Sequence, residues 1–289
     1  MISWHKSRFL RRTPASELIS DYSSYTKGRF SHRAGTPVLI AARNEAADLP
    51  ATLISLADSR TEVWPIVIEN GSKDSTYKIA RIMGATTLRS PEPFKLAALQ
   101  YGVSMLEDTN RINQPVLFTD ADTLVGRTWA ATMEDAVYTD DTDTPQVAVG
   151  SAVLWDGPSK AVDTLRTSHA AVKDLAHAAL DKRPVARGHN MALHLANQAA
   201  VDAYRSLDGR LFLAEEVAIM DAIEAIGGRI VRSLGLSAAV LTRGDRVGSI
   251  GECSRIRNDP DFSHRRRLYN EYSGIIPYTG QLSEVSDLK

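Results

Sequence analysis

A chain of 289 residues has room for one large domain or two small ones. At 43% hydrophobic and 24% charged it carries enough apolar material for a sizeable core, which excludes a disordered or fibrous protein. Lys+Arg of 34 against Asp+Glu of 35 leaves a net charge of −1, so general nucleic-acid binding loses its electrostatic basis. The single cysteine, Cys253, forms no internal disulfide and no zinc cluster alone, so a reducing, cytoplasmic setting is expected. There is no run of about 18 apolar residues to span a bilayer. The basic opening MISWHKSRFLRR lacks the apolar centre of a secretory signal.

Residues 1–36 hold seven basic side chains (Lys6, Arg8, Arg11, Arg12, Lys27, Arg29 and Arg33) against Glu17 and Asp21. This reads as a solvated N-terminal arm, residues 1–35. With Trp4, Phe9 and Leu10 interleaved it also suits an anionic lipid surface or a phosphorylated acceptor, and so a peripheral membrane contact. From Thr36 the pattern turns regular. Val38 to Ala41 is a strand, Glu45 to Leu56 a helix, Pro65 to Ile68 a strand, and Ser75 to Met83 a helix stopped by Gly84. Thr86 to Leu88 is a short strand, Lys95 to Leu106 a helix, and Val116 to Phe118 a strand ending before Asp120. Short apolar runs alternating with helical periods predict βαβ units and a mainly parallel sheet flanked by helices.

The acidic stretch Tyr138 to Pro145 reads as a surface loop, and Val147 to Leu154 as a strand. An Ala-rich helical region follows from Ser159 to Leu180. Glu215 to Ile226 reads as a helix ending at Gly227-Gly228, before a strand at Ile230-Val231. The last 40 or so residues look appended.

Three polar segments sit at strand ends, where open α/β sheets bind ligands. These are Ala41-Ala42-Arg43-Asn44-Glu45, Glu69 to Thr76 and Asp120-Ala121-Asp122. Two carboxylates two residues apart after an apolar strand suit a hard divalent ion, Mg²⁺ or Mn²⁺, which shares its remaining ligands with phosphate. An exposed acidic turn is the plainer explanation of that pair. Asn70-Gly71-Ser72 with Asp74 makes a turn into a helix, and Asp74 or Ser75 could cap it. Functionally, Asp74 offers a carboxylate to a nucleobase N–H.

Taken together, A-R-N-E, N-G-S-x-D-x-T, a lysine at a helix start and D-A-D resemble the family 2 glycosyltransferases of GT-A fold. Glu215-Glu216 with Gly227 is similar to that family's acidic helix, and Arg187-Gly188-His189-Asn190-Met191-Ala192 to its G-x-N-M-A segment. Thr242-Arg243-Gly244-Asp245-Arg246 roughly matches a late basic element. The likeness covers Thr36 to Val247, and so implies a GT-A domain at 36–247 with an extension at 248–289.

The resemblance implies a glycosyltransferase moving a sugar from a nucleotide-diphosphate donor, a UDP- or GDP-sugar, to a hydroxyl acceptor with inversion. It places Ala41, Arg43 and Glu45 at the base and ribose, Asn70 and Asp74 in the base loop, and Lys95 near the nucleotide, although Phe94 stands where the family has glycine. It places Asp120 by the ribose, Asp122 on the metal, and Glu216 at the catalytic base, normally an aspartate. Adjacent helical residues diverge by about 100°, so Glu215 and Glu216 are not expected to face the donor site together. Counting back from Gly227 selects Glu216.

His169 and His177 read as surface or packing residues, and Trp129 and Trp155 as packing, although Trp155 could border the acceptor. The cluster His264-Arg265-Arg266-Arg267 reads as a solvated face or a phosphate grip, and His264 as a candidate third metal ligand. Two other functions compete. A sugar-phosphate nucleotidyltransferase is disfavoured because Ala41 to Glu45 contains no glycine for a phosphate loop. A non-catalytic nucleotide-sugar-binding subunit would account for the departures at Phe94 and Glu216.

Overall fold

The computed structural model of the chain describes residues 9–10, 12–32, 34–138, 144–154, 189–209, 215–233 and 240–242, with isolated positions at 168, 172, 175, 179 and 180. The strands are β1 (Thr36–Ala42), β2 (Val63–Glu69), β3 (Thr86–Arg89), β4 (Val116–Phe118), β5 (Gln146–Gly150), β6 (Ala152–Leu154), β7 (Met191–His194), β8 (Arg229–Ser233) and β9 (Val240–Thr242). The helices are α1 (Ala15–Arg29), α2 (Leu49–Ala57), α3 (Thr76–Ile82), α4 (Lys95–Asp108), α5 (Trp129–Val137), α6 (Gln198–Arg205) and α7 (Glu215–Ala225).

Seven strands form one sheet in the order β3-β2-β1-β4-β7-β5-β8, and β6 and β9 pair separately. Strands β3, β2, β1 and β4 are parallel, with Ala42 beside Glu69 and Val38 beside Leu117. Their apolar runs are continuous because helices cover both faces. On one face Val38, Ile40 and Val67 pack with Leu53 and Ile54 of α2 and Met133 of α5. On the other, Leu39, Ile66 and Ile68 pack with Leu96, Leu99 and Val103 of α4 and Ile219 of α7. The parallel strands therefore all deliver their carboxyl ends to one edge of the sheet.

Only β7 runs against this direction, between β4 and β5. The mainly parallel sheet expected from the periodicity is present. Three local expectations need correction. The helix expected from Glu45 starts at Leu49, because the Glu45 carbonyl takes the amides of Asp48 and Leu49 in a turn that precedes it. The strand expected over Val147 to Leu154 breaks at Ser151. There the Asn190 side chain donates to the Ser151 carbonyl (2.7 Å), accepts from the Trp129 indole (2.8 Å), and leaves no room for a Cβ on Gly150. The chain then crosses to the β6–β9 pair.

The third correction concerns the basic arm. Over its described residues it is no solvated tether. Leu10, Leu18 and Phe30 join the core cluster beside α2, and Arg29 donates to the carbonyls of Ala57 (3.1 Å) and Ser59 (3.1 Å) at the end of that helix. Its polar composition hid a helix with one narrow apolar edge. Residues 1–8, most of the Ala-rich region with His169 and His177, Trp155, Arg187-Gly188, residues 243–247 and the extension with His264 lie outside the described residues.

Candidate active site

The loops after β1 and β2 are laced together where those strands end. Asn44 adopts a left-handed backbone (φ 58°), which its short amide tolerates. Its amide donates to Ser72 Oγ (3.1 Å), and its Oδ1 accepts from the Lys73 amide (2.8 Å). Thr76 Oγ1 accepts from the Glu45 amide (2.8 Å), and Glu45 is buried there. Asp74 closes the lacing: Oδ2 accepts from the Ala46 amide (3.1 Å), and Oδ1 from the Thr76 amide (2.9 Å) and hydroxyl. Burial alone would raise the Asp74 carboxyl, but these donors outweigh it and hold it below its ordinary value. So Asp74 is a tie between two loops.

Asn70 is buried behind it. Its Nδ2 donates to the Pro93 carbonyl (3.3 Å), which Arg43 also reaches (3.3 Å). A carbonyl accepts only from the nitrogen end of the amide, so the Asn70 orientation is fixed and its Oδ1 faces the other way. That buried oxygen has no partner among the described residues. Half-exposed Ala41 ends the β1 side of the same loop pair.

Lys95 opens α4 at the centre of the edge. Its Nζ lies 2.8 Å from Asp120 Oδ1 and 3.2 Å from Glu215 Oε1. Burial alone would lower the ammonium's pKa, but Asp120, Glu215 and Glu216 outweigh it and keep the group charged. Asp122 follows two residues on and is 7% exposed. Its carboxylate supplies the hard oxygen chemistry that a divalent ion requires. Among the described residues no three His, Cys, Asp or Glu side chains gather as a closed ion site, so further ligands would come from elsewhere, as diphosphate oxygens do.

Glu215 and Glu216 begin α7. Glu215 is buried, and Glu216 beside it is only partly so. Ala218, Ile219 and Met220 are all buried one turn further on, and Ala218 and Ile219 lie three and four residues from Glu215. Glu215 takes the ion pair with Lys95. Burial and the adjacent Glu215 charge push the Glu216 carboxyl up to about 7, against the opposing pull of Lys95. In the sequence the Gly227 register favours Glu216 and leaves the choice between it and Glu215 open. The Glu215 spacing of three and four from Ala218 and Ile219 was the available signal.

The sequence-expected residues thus meet in two groups at one sheet edge. Arg43, Glu45, Asn70 and Asp74 share the laced loops, while Lys95, Asp120 and Glu215 form an ion-paired centre with Glu216 in electrostatic range. Asn190, which braces the far side through Trp129, was legible only as a motif letter.

This architecture matches glucosyl-3-phosphoglycerate synthase from Mycobacterium tuberculosis. Against its complex with Mn²⁺ and UDP-glucose the TM-score is 0.52 at 17% identity, over 91% of this chain and 85% of that one. The fold is GT-A. The complex of the same enzyme with Mg²⁺ and UDP gives 0.52 at 18% identity, over 91% and 85%. Its complex with Mn²⁺, UDP and phosphoglyceric acid gives 0.53 at 17%, over 91% and 84%. No protein-family model matches the sequence, and no curated protein does. The expected GT-A fold is therefore met, while the expected place in family 2 has no family match behind it.

Proposed function

We propose that this GT-A protein is a glycosyltransferase that takes a nucleotide-diphosphate sugar, a UDP- or GDP-sugar, as donor and a hydroxyl compound as acceptor. The observation that carries the reading is Lys95, whose ammonium joins Asp120 of the donor strand to Glu215 of the acceptor-side helix. One cation there touches both halves of a sugar-transfer site. The motif order from Ala41 to Asp122 supports it, as does the likeness to a fold whose solved complexes hold UDP-glucose with Mn²⁺ and UDP with Mg²⁺.

In this reading Arg43, Glu45 and Asn70 receive the base and ribose, Asp74 keeps their loops together, and Asp120 faces the ribose beside Lys95. Asn70 Oδ1, buried and unpartnered among the described residues, is the acceptor suited to a base N–H. Asp122 would hold Mn²⁺ or Mg²⁺, which supplies charge neutralisation for the departing diphosphate. Lys95 adds a fixed positive charge on the same side. Glu216 is the base. Its carboxyl, raised to about 7, is still available to take the acceptor's proton near neutral pH. Attack by the freed hydroxyl from the α7 side, opposite the nucleotide, inverts the anomeric carbon.

The test is a thermal-shift screen of UDP-, GDP- and ADP-sugars with and without Mn²⁺, followed by donor hydrolysis. A ligand at 100 times its Kd stabilises by about 2.7 kcal/mol. A metal-dependent shift with turnover is expected. A shift with no turnover under any acceptor would make the chain a nucleotide-sugar-binding subunit, and no shift at all would end the reading.

A further inference from the structure

Helix α4 starts without a capping side chain, since Phe94 supplies none. The Ala97 amide, one of the free N–H groups of its first turn, donates instead to the Gly209 carbonyl at 3.1 Å. One turn on, Gln100 Nε2 donates to the carbonyls of Tyr204 (3.1 Å) and Leu207 (2.9 Å), with that of Arg205 at 3.4 Å. Tyr204 and Arg205 are the last residues of α6, which closes at Ser206 with no glycine to turn it off, and Leu207 follows it. Further along, Arg205 pairs with Glu107 (2.8 Å) and reaches Ser104 Oγ (3.1 Å). The segment 204–209 is thus fastened along most of α4. It also lies close: a Cβ on Gly209 would sit 2.9 Å from both Ala97 Cβ and Gln100 Oε1.

Six residues after Gly209 the chain reaches Glu215, which returns to Lys95 at the head of the same helix. The contacts run from Lys95 along α4 to Gln100 and across to 204–209, while Glu215 returns to Lys95. We infer that Gln100, with Gly209, is a positioning residue that sets the reach of the Glu215–Glu216 pair to Lys95. Its two amide hydrogens are committed to these carbonyls, so it acts through α6, whose Val201 and Tyr204 share a buried cluster with Ala218 and Ile219 of α7. Displacing reacting groups by about 1 Å costs on the order of 10²-fold in rate. The inference rests on the glycosyl-transfer reading for its activity readout alone.

The experiment compares Gln100→Met, which keeps length and removes the donors, with Gln100→Lys, which restores donors to the carbonyls, and with Gly209→Ala. Hydrogen exchange is followed over residues 204–225, beside Mn²⁺-dependent UDP affinity and steady-state kinetics with the donor found in the screen. For Gln100→Met and Gly209→Ala, the amides of the first turns of α7 should exchange about tenfold faster or more. In the same two variants kcat should fall about 10- to 100-fold while the donor KM stays within about threefold. Gln100→Lys should recover both. Unchanged exchange at 215–220 in Gln100→Met overturns the inference. Equal losses in the Met and Lys variants, with kcat and KM moving together, reduce Gln100 to a structural residue and overturn it too. If the parent turns over no nucleotide sugar, the transfer reading fails, and the exchange comparison alone decides whether Gln100 holds the segment.

Discussion

Strands β1 to β4 and strands β5, β7 and β8 build the two halves of one sheet in different ways. In the first half every strand runs the same way and ends in a loop of the site, so binding groups accumulate simply because the strands are parallel. In the second half β7 is reversed, Asn190 breaks a strand at Ser151, and the carboxylates arrive on the first turn of α7 rather than on a strand end. In the proposed reading the first half holds the ligand and the second brings a reactive group against it, with Lys95 as the point of contact. Substitutions in the first half should therefore alter binding, and those in the second should alter turnover with binding intact.

The sharpest division should come from Glu216→Gln. Nucleotide affinity should stay near that of the parent while transfer falls about 10²–10⁴-fold. A parent rate in Glu216→Gln beside a dead Glu215→Gln would move the base by one residue. In the parent, transfer should rise as pH increases through about 7, where the Glu216 carboxyl ionises. Loss of that acid limb in Glu216→Gln checks the assignment by pH-rate profile.

The reciprocal case is Asp122→Ala. It should weaken Mn²⁺-dependent nucleotide binding by more than the roughly 10–100-fold that even outer-shell changes cost a metal site. Calorimetry with and without Mn²⁺ measures it, and an unchanged metal-dependent affinity would remove Asp122 from the site.

Within the first half, Asn70 and Asp74 divide reading from tying. UDP or GDP should compete better than ADP in the parent, because leaving a buried partner unpaired costs about 1–3 kcal/mol. That preference should vanish in Asn70→Ala. In Asp74→Ala it should survive with uniformly weaker affinity, since the loops lose their tie. Equal competition by all three nucleotides in the parent would contradict both roles.

Stability sharpens the comparison further. The folded pKa of Glu216 lies above its unfolded value, so the folded state binds the extra proton, and stability is lost as pH rises from the unfolded value through about 7. Glu216→Gln should therefore be more stable than the parent above pH 7 by on the order of 1–3 kcal/mol, and equal to it in acid. Denaturant melts at two pH values test the sign. The smallest effect is reserved for the N-terminal helix. Arg29→Ala should cost about 0.5–1.5 kcal/mol through its lost hydrogen bonds, with nucleotide affinity unchanged. Removal of residues 1–8 should lower partitioning onto anionic vesicles if the basic opening docks there, and identical sedimentation would end that idea.

The parallel half was legible because continuous apolar runs such as Val38 to Ala41 and Val116 to Phe118 have one common explanation, burial on both faces. The break at Ser151 was not, since Val147 to Leu154 is apolar throughout and the interruption comes from Asn190, far away in sequence. Helix α1 was hidden for the opposite reason: its surface is mostly polar and only Leu18 and Thr26 are buried. In the site, residue types were readable and commitments were not. Asp74 looks like a base reader until its oxygens are found on Ala46 and Thr76. The Glu215–Glu216 ambiguity is a matter of helix rotation, which depends on what packs against α7.

Among the described residues, two buried indoles have a consequence for spectroscopy. Trp64 of β2 donates to Thr86 Oγ1 (2.7 Å) among the parallel strands, and Trp129 of α5 donates to Asn190 Oδ1 (2.8 Å) beside β7. Each half carries its own emitter, shielded from water and with a defined hydrogen-bond partner. Trp64→Phe and Trp129→Phe difference spectra would therefore separate the optical signals of the two halves. If the proposed reading holds, nucleotide and acceptor binding should shift the two emissions separately, in one cuvette and without a label.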